Sequence, residues 1–468
     1  MDWLAQATAR QGELIDDLQQ LIRIESVLNE QEATAQQPFG KGPNEALHWL
    51  LARGEAQGMT VKNIDEMAGH IEMGHGDELV GILCHVDVVP AGDESTWTYP
   101  PFEGVIEDGK LFGRGAIDDK GPTMAAWLAM KMIKDANIPL NKRVRMIIGT
   151  DEESGFRCVD RYFATEELPS IGFAPDADFP LINAEKGIAD LLFTSQAEGK
   201  EQIITFKAGH RTNMVPELAT AQVHHLQHSE QAYHQFLQDQ ALTGTVETKD
   251  GVTTFTLKGK SAHAMEPHNG INAAIKLAEF LHPYMQEPAS RNFTSFMVTA
   301  FGKDCYGTAL GLAYEDEASG HTTLNPGIIH FAHNKAEIQV SMRYSVTYPF
   351  AERLAGAQAK IHALSFAFDI VSNSPPHYVE ADAPLVKTLE RIYRKYSGDQ
   401  TTPLLSTGGG TYARAMAEKG ENVACVAYGM LFPGEPDVMH QADEFVVIDN
   451  VIKAAAIYAE AIVALATN

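Results

Sequence analysis

Two stretches of the chain, Leu79-Val80-Gly81-Ile82-Leu83-Cys84 and Val144 to Ile148, are apolar without alternation. A strand covered on both faces reads this way, so the pair predicts a parallel or mixed sheet sandwiched between helices. Between them, Pro122 and Thr123 open a predicted helix in which Met124, Leu128 and Met132, and Ala125, Ala129 and Ile133, recur at four-residue spacing. Strand, helix, strand is the α/β pattern. Leu4, Leu14, Leu18, Leu21 and Ile22 are spaced as the buried stripe of an amphipathic N-terminal helix.

From about Glu185 the pattern changes. Val252 to Leu257 alternates, and Ala336 to Tyr344 sets Ala336, Ile338, Val340 and Met342 against Glu337, Gln339, Ser341 and Arg343. Such strands are antiparallel with one covered face, and a helix over about Ile271 to Tyr284 is a suitable cover. After Ser374-Pro375-Pro376 the apolar run Val423 to Tyr428 and an Ala-rich helix over about Val451 to Ala466 resume the first pattern. The fold class expected is α/β: a mixed-sheet domain with helices on both faces, built from residues 1–185 and 376–468, and an inserted α+β lid domain over 186–375. A chain of 468 residues is long enough for both cores.

Asp and Glu outnumber Lys and Arg by 62 to 36, a formal net charge of −26, which repels polyanions and argues against nucleic acid and anionic membrane surfaces as partners. Cys84, Cys158, Cys305 and Cys425 show no CxxC spacing, which predicts free thiols rather than a disulfide framework or a thiolate zinc site. The N-terminus lacks the basic region and unbroken apolar core of a signal peptide. No run reads as a membrane span of about 20 apolar residues. The expectation is a cytoplasmic protein.

The candidate chemistry gathers where the apolar strands end. His85 and Asp87 follow the first run, where side chains enter the crevice outside a sheet. A lone His there is commonly structural, but a nearby carboxylate can hold the second nitrogen of a metal-binding imidazole. Gly113-Arg114-Gly115-Ala116-Ile117-Asp118-Asp119-Lys120-Gly121 places two carboxylates in a glycine-rich turn, a pattern that plain turn and cap chemistry also produces. Thr150-Asp151-Glu152-Glu153-Ser154-Gly155 follows the second run. Three successive carboxylates repel and raise one another's pKa unless a cation or donors compensate, which gives adjacent Glu residues different tasks, one on a metal and one on a proton. Asp176, in Pro175-Asp176-Ala177-Asp178, and His440, in a late loop, are weak alone. Joined with the others in one domain, they make a His/Asp/Glu set suited to zinc, with manganese or cobalt as alternatives.

Together these segments resemble the M20 family of metallopeptidases and amidohydrolases, whose members carry a HxDxVP strand end, a GRGxxDxKG turn, a DEExG segment, a later metal-binding Asp and a C-terminal His. The resemblance spans nearly the whole chain and is nearest to the dipeptidase V branch, with its long lid and a GGGTYAR segment matching Gly408 to Arg414 here. It implies two Zn²⁺ per chain: Asp118 bridging, His85 and Asp176 on one ion, Glu153 and His440 on the other. It further implies Glu152 as general base, Asp87 as the carboxylate orienting His85, and a cis peptide at Asp118-Asp119. In the lid, His263, flanked by small residues, is implied as the oxyanion donor, with His268 as a second choice. Asn213 and Arg343 are implied to bind substrate, with backbone near Gly410 completing a carboxylate grip.

The activity implied is hydrolysis of dipeptides with a free N-terminus by a monomer, the enlarged lid supplying what a second subunit gives shorter-lidded members. Which acidic group takes the substrate amine stays open, Asp118 being one candidate. N-acyl-amino-acid deacylation or desuccinylation would use the same ligands. A non-catalytic binding protein on the same fold is the reading from another class.

Overall fold

The computed structural model describes residues 1–224, 226, 228–420 and 423–467. The chain divides into two compact units, one comprising Met1–Asn183, Tyr378–Leu405 and Gly410–Asn468, the other Ala184–His377 and Ser406–Gly409.

The first unit is a mixed α/β layer structure. Leu79–His85 pairs in parallel with Arg143–Gly149 on one side and Ile171–Ala174 on the other. Ala424–Ala427 continues the parallel set beside Ile171–Ala174. Ala68–Gly74 and Thr60–Ile64 close the other edge in antiparallel register. Every residue of Leu79–His85 is buried, which is why that run cannot alternate. Val80, Ile82 and Cys84 join the core that contains the helices Lys120–Asp135 and Ile448–Thr467, while Leu83 and Ile147 join the core of Arg157–Phe163 and Tyr412–Ala417. Each fully buried side chain of this kind contributes roughly 1.5–3 kcal/mol relative to exposure.

Three readings of the sequence are adjusted here. The N-terminal amphipathic stripe is two helices, Trp3–Ala9 and Gln11–Ile22. The break at Arg10 turns Leu4 outward, and Trp3 and Ala7 fill the core instead. Pro122 lies in the first turn of a helix that begins at Lys120, where its missing N–H costs no intrahelical bond. Contrary to the reading that no run suits a membrane, Ile448–Thr467 is long and apolar enough to cross one by length and composition. Its apolarity has another cause: Val451, Ile452, Ala455, Ile457, Tyr458 and Ile462 are buried within the core of this unit.

The second unit is an antiparallel sheet in the order Thr243–Lys249, Val252–Lys258, Leu218–His224, Ile203–Ala208, Thr323–Ala332, Lys335–Tyr344, Gly187–Gln196, Ala367–Ser374. Ala336, Ile338, Val340 and Met342 share a core with the helices Ala273–Leu281 and Pro288–Phe301. Asn272 starts the first of these helices by accepting from Ala274 N and Ile275 N, and the predicted extension to Tyr284 is a 3-10 turn, His282–Tyr284. All four cysteines are free, Cys84, Cys158 and Cys425 being buried and Cys305 half-buried.

Candidate metal and catalytic centre

The parallel register sets the ends of the strands level, His85 standing opposite Gly149. His85 closes its strand, Glu152 and Glu153 follow the next one, and Asp176 follows Ile171–Ala174, so neighbouring strands deliver their side chains at carboxyl ends, where such sheets bind ligands. Gly149 is bare for a reason. A Cβ there would lie 2.0 Å from the Tyr412 hydroxyl, which sits 3.0 Å from Cys158 Sγ, and the Tyr412 ring packs edge-on to His85 at 6.1 Å.

Asp118 precedes the helix Lys120–Asp135 and is joined to Asp119 by a cis peptide. The donor atoms of His85, Asp118 and Asp176 lie within 4.8 Å of one another, as do those of Asp118, Glu153 and His440. Asp118 belongs to both groups. One oxygen, Oδ1, is 3.1 Å from His85 Nε2, and the other, Oδ2, is 2.9 Å from His440 Nε2. Asp176 Oδ2 stands 3.7 Å from His85 Nε2, and Glu153 Oε2 is 3.1 Å from His440 Nε2.

This donor set fits a pair of metal cations. His85 Nε2 is buried with no well-directed hydrogen-bond partner, while its Nδ1 is 3.0 Å from the Asp87 carbonyl oxygen. That contact places the proton of the neutral ring on Nδ1 and turns the Nε2 lone pair toward Asp118 and Asp176. The backbone carbonyl of Asp87 therefore orients His85 more closely than its carboxylate, whose Oδ1 is 3.6 Å from Nδ1. The Asp87 carboxylate instead accepts Glu152 N at 3.2 Å and Glu153 N at 3.1 Å, fixing the turn that carries both glutamates.

Crowded carboxylates shift one another. Burial, with the charges of Asp176, Glu153 and Asp118, pushes Glu152 well above the usual carboxylate range. Burial and Asp118 raise Glu153 to about 7. Burial opposes the charge on Asp118, but His440 and His85 outweigh it and hold that carboxyl below its ordinary value. Asp118 and Glu153 push the His440 imidazolium up to about 11.

A histidine pKa raised on folding adds stability in full below its unfolded value near 6.5, and that stability is lost as pH rises through 11. Between these values the metal-free protein holds a proton that a metal must displace from His440. Metal uptake at pH 8 is therefore expected to release at least one proton, with apparent affinity rising about tenfold per pH unit for each proton displaced. Calorimetry in buffers of different ionisation enthalpy measures this, and identical heats in all of them would refute it.

In the second unit, His263 forms an isolated antiparallel bridge with Met214, and Ala264 N donates to Asn213 O at 2.9 Å. Neighbouring backbone thus places Asn213 and His263 side by side. His263 Nδ1 accepts from Met265 N at 3.2 Å, so the neutral ring carries its proton on Nε2 and is a donor there. Asn325, which sequence reasoning passed over, supports this loop by donating through Nδ2 to Thr212 O at 2.9 Å and Met214 O at 2.8 Å. Arg343 is 6% exposed, donates to Gly408 O at 2.8 Å, and lines a cavity of about 530 Å³ with Asn213, Thr212, Ser341 and Asp190. His268 borders a different cavity, of about 370 Å³, beside Cys305. Gly410 belongs to the first unit, just ahead of the helix Tyr412–Ala417, whose first turn is capped by Thr411.

Residues 81–464 match the model of peptidase family M20/M25/M40. A protein of Bacillus subtilis (strain 168) named "Putative dipeptidase YtjP" is 46% identical over 474 residues, covering 100% of both chains. One of Staphylococcus epidermidis named "Putative dipeptidase" is 38% identical, covering 99% of each. Among solved structures, human carnosine dipeptidase 1 aligns with a TM-score of 0.57 at 16% identity over 99% of this chain and 98% of that one. Dug1p of Saccharomyces cerevisiae aligns at 0.55 and 14% over 98% of each. At such identities these two speak for the fold.

Proposed function

The chain belongs to peptidase family M20/M25/M40, and from that premise we propose that it is a two-metal dipeptidase hydrolysing small peptides with a free N-terminus. The observation that carries the reading is the shared carboxylate: Asp118 alone belongs to both three-residue groups, each of which also contains a histidine and a second carboxylate. His85, Asp118 and Asp176 would hold one ion, and Asp118, Glu153 and His440 the other, zinc being the metal that imidazole and carboxylate favour, with manganese or cobalt as substitutes. When bound, the ions supply Lewis acidity toward the amide carbonyl and make water acidic enough to attack near neutral pH.

The protein's own groups do the rest. Glu152 removes a proton from the attacking water and returns it to the departing amine nitrogen, a task suited to a carboxylate whose pKa burial and neighbouring charge have raised. Asp87 keeps Glu152 and Glu153 in place through their backbone N–H groups. The second unit acts as the lid. On this reading His263 would donate from Nε2 to the oxyanion, and Arg343 with Asn213, which line one cavity of the second unit, would take the C-terminal carboxylate in a directional, charge-assisted grip. The reading includes a monomer, the enlarged lid supplying what a second subunit gives shorter-lidded members.

A dipeptide panel, assayed before and after chelation with zinc, manganese and cobalt added back, tests this. Free dipeptides should be cleaved, activity should vanish on chelation, and metal should restore it. Turnover of N-acetyl or N-succinyl amino acids without dipeptides would make the protein a deacylase. No turnover of either class by the metal-loaded protein would leave only a binding role.

A further inference from the structure

Four residues beyond His440, the side chain of Glu444 is fully buried. Its Oε1 accepts Ile117 N at 3.0 Å and Asp118 N at 3.3 Å. Its Oε2 accepts Arg114 Nη1 at 2.5 Å, and its backbone oxygen accepts Gly113 N at 2.9 Å. The antiparallel register of Phe445 with Phe112, Val446 with Leu111 and Val447 with Lys110 extends this join into a ladder. Next to it, Asp443 accepts Thr98 N at 2.6 Å and Thr98 Oγ1 at 2.7 Å.

We propose that Glu444 is the positioning residue of the metal centre, clamping the backbone that carries Asp118 to the segment that carries His440. The inference rests on the two-metal reading and deepens it. Asp118 has to present one oxygen to each group, so the direction of its Cα–Cβ bond matters more than that of any other ligand. A carboxylate accepting consecutive N–H groups at 117 and 118 fixes that direction. Because Glu444 sits on the same segment as His440, one side chain sets the distance between a ligand of the second group and the carboxylate common to both. Arg114, itself buried and facing the Trp97 ring at 5.2 Å, holds Oε2 of Glu444 and so turns the carboxylate until Oε1 reaches the backbone.

The competing explanation is that Glu444 does no more than neutralise Arg114. The two accounts part on metal affinity, measured with zinc against a chromophoric chelator well below the melting temperature. Replacing both members of the buried pair in R114M/E444M removes the charges together, which such pairs commonly tolerate, and also removes the acceptor for the N–H groups of 117 and 118. Zinc affinity should fall about 10–100-fold, as when other outer partners of metal ligands are lost, with the thermal transition retained. Wild-type affinity in that variant overturns the proposal.

Should the double variant not fold, Glu444→Asp keeps the charge opposite Arg114 but is one methylene too short to reach both partners. A loss of zinc affinity in the same direction is expected, and wild-type affinity again overturns the proposal. Failure of the unaltered chain to bind zinc would instead sink the two-metal reading itself.

Discussion

Glu152→Gln is expected to lower kcat on a good dipeptide substrate by about 10²–10⁴, the usual contribution of a positioned general acid–base group, with metal content unchanged. The substitution keeps side-chain size and removes only the ability to hold a proton. Glu152 is not a member of either group of converging donor atoms, and its backbone N–H, held by Asp87 Oδ1 at 3.2 Å, stays where it is. KM should move little, since the lost contact is made in the transition state rather than in substrate binding. A variant that keeps two metals and more than a tenth of the activity would remove Glu152 from the proton path. A variant that loses metal would show instead that its charge is needed to hold the ions.

Much of the fold was legible because burial leaves a direct mark on composition. Leu79–His85 and Arg143–Gly149 are covered on both faces and cannot alternate, whereas the strand Lys335–Tyr344 alternates in burial over its first half, where one face is open, and is buried on both faces from Ser341 onward. The candidate ligands were legible for a related reason: His, Asp and Glu at the ends of apolar strands are costly there unless something compensates. What the sequence hid are relations between distant segments. Arg114 and Glu444 are 330 positions apart, and one sequence shows neither that they pair nor that the same carboxylate holds Asp118 N. Likewise, HxD spacing points to the Asp87 carboxylate as the partner of His85, although the nearer atom is the Asp87 backbone oxygen, an atom every residue type offers. Asn325 carries no local signal of its role, since Asn before Pro-Gly is ordinary turn composition, while here it is buried in a strand and spans two loop carbonyls.

The same division explains why acidic residues on one chain carry opposite meanings. Most of the excess negative charge is solvated and unremarkable, but Asp118, Glu152, Glu153 and Asp176 are close enough to perturb one another. The imidazoles of His85 and His440 cover part of that repulsion in the metal-free protein, and a cation can take over the role at the cost of their protons.

Asp118→Asn tests that arrangement most severely. Asp118 offers Oδ1 toward His85 and Oδ2 toward His440, so a neutral amide, with an NH₂ in place of one oxygen, removes a ligand from one group and weakens the other. Zinc content is expected to fall from two per chain to fewer than one, measured by elemental analysis after gel filtration. Dipeptide hydrolysis should drop by at least about a thousandfold, equivalent to roughly 4 kcal/mol of barrier. Asp176→Asn supplies the contrast, because Asp176 belongs only to the group with His85: one ion should be retained near Glu153 and His440. If the two variants lost metal to the same extent, or if Asp118→Asn kept both ions, Asp118 would not be the carboxylate common to the two sites.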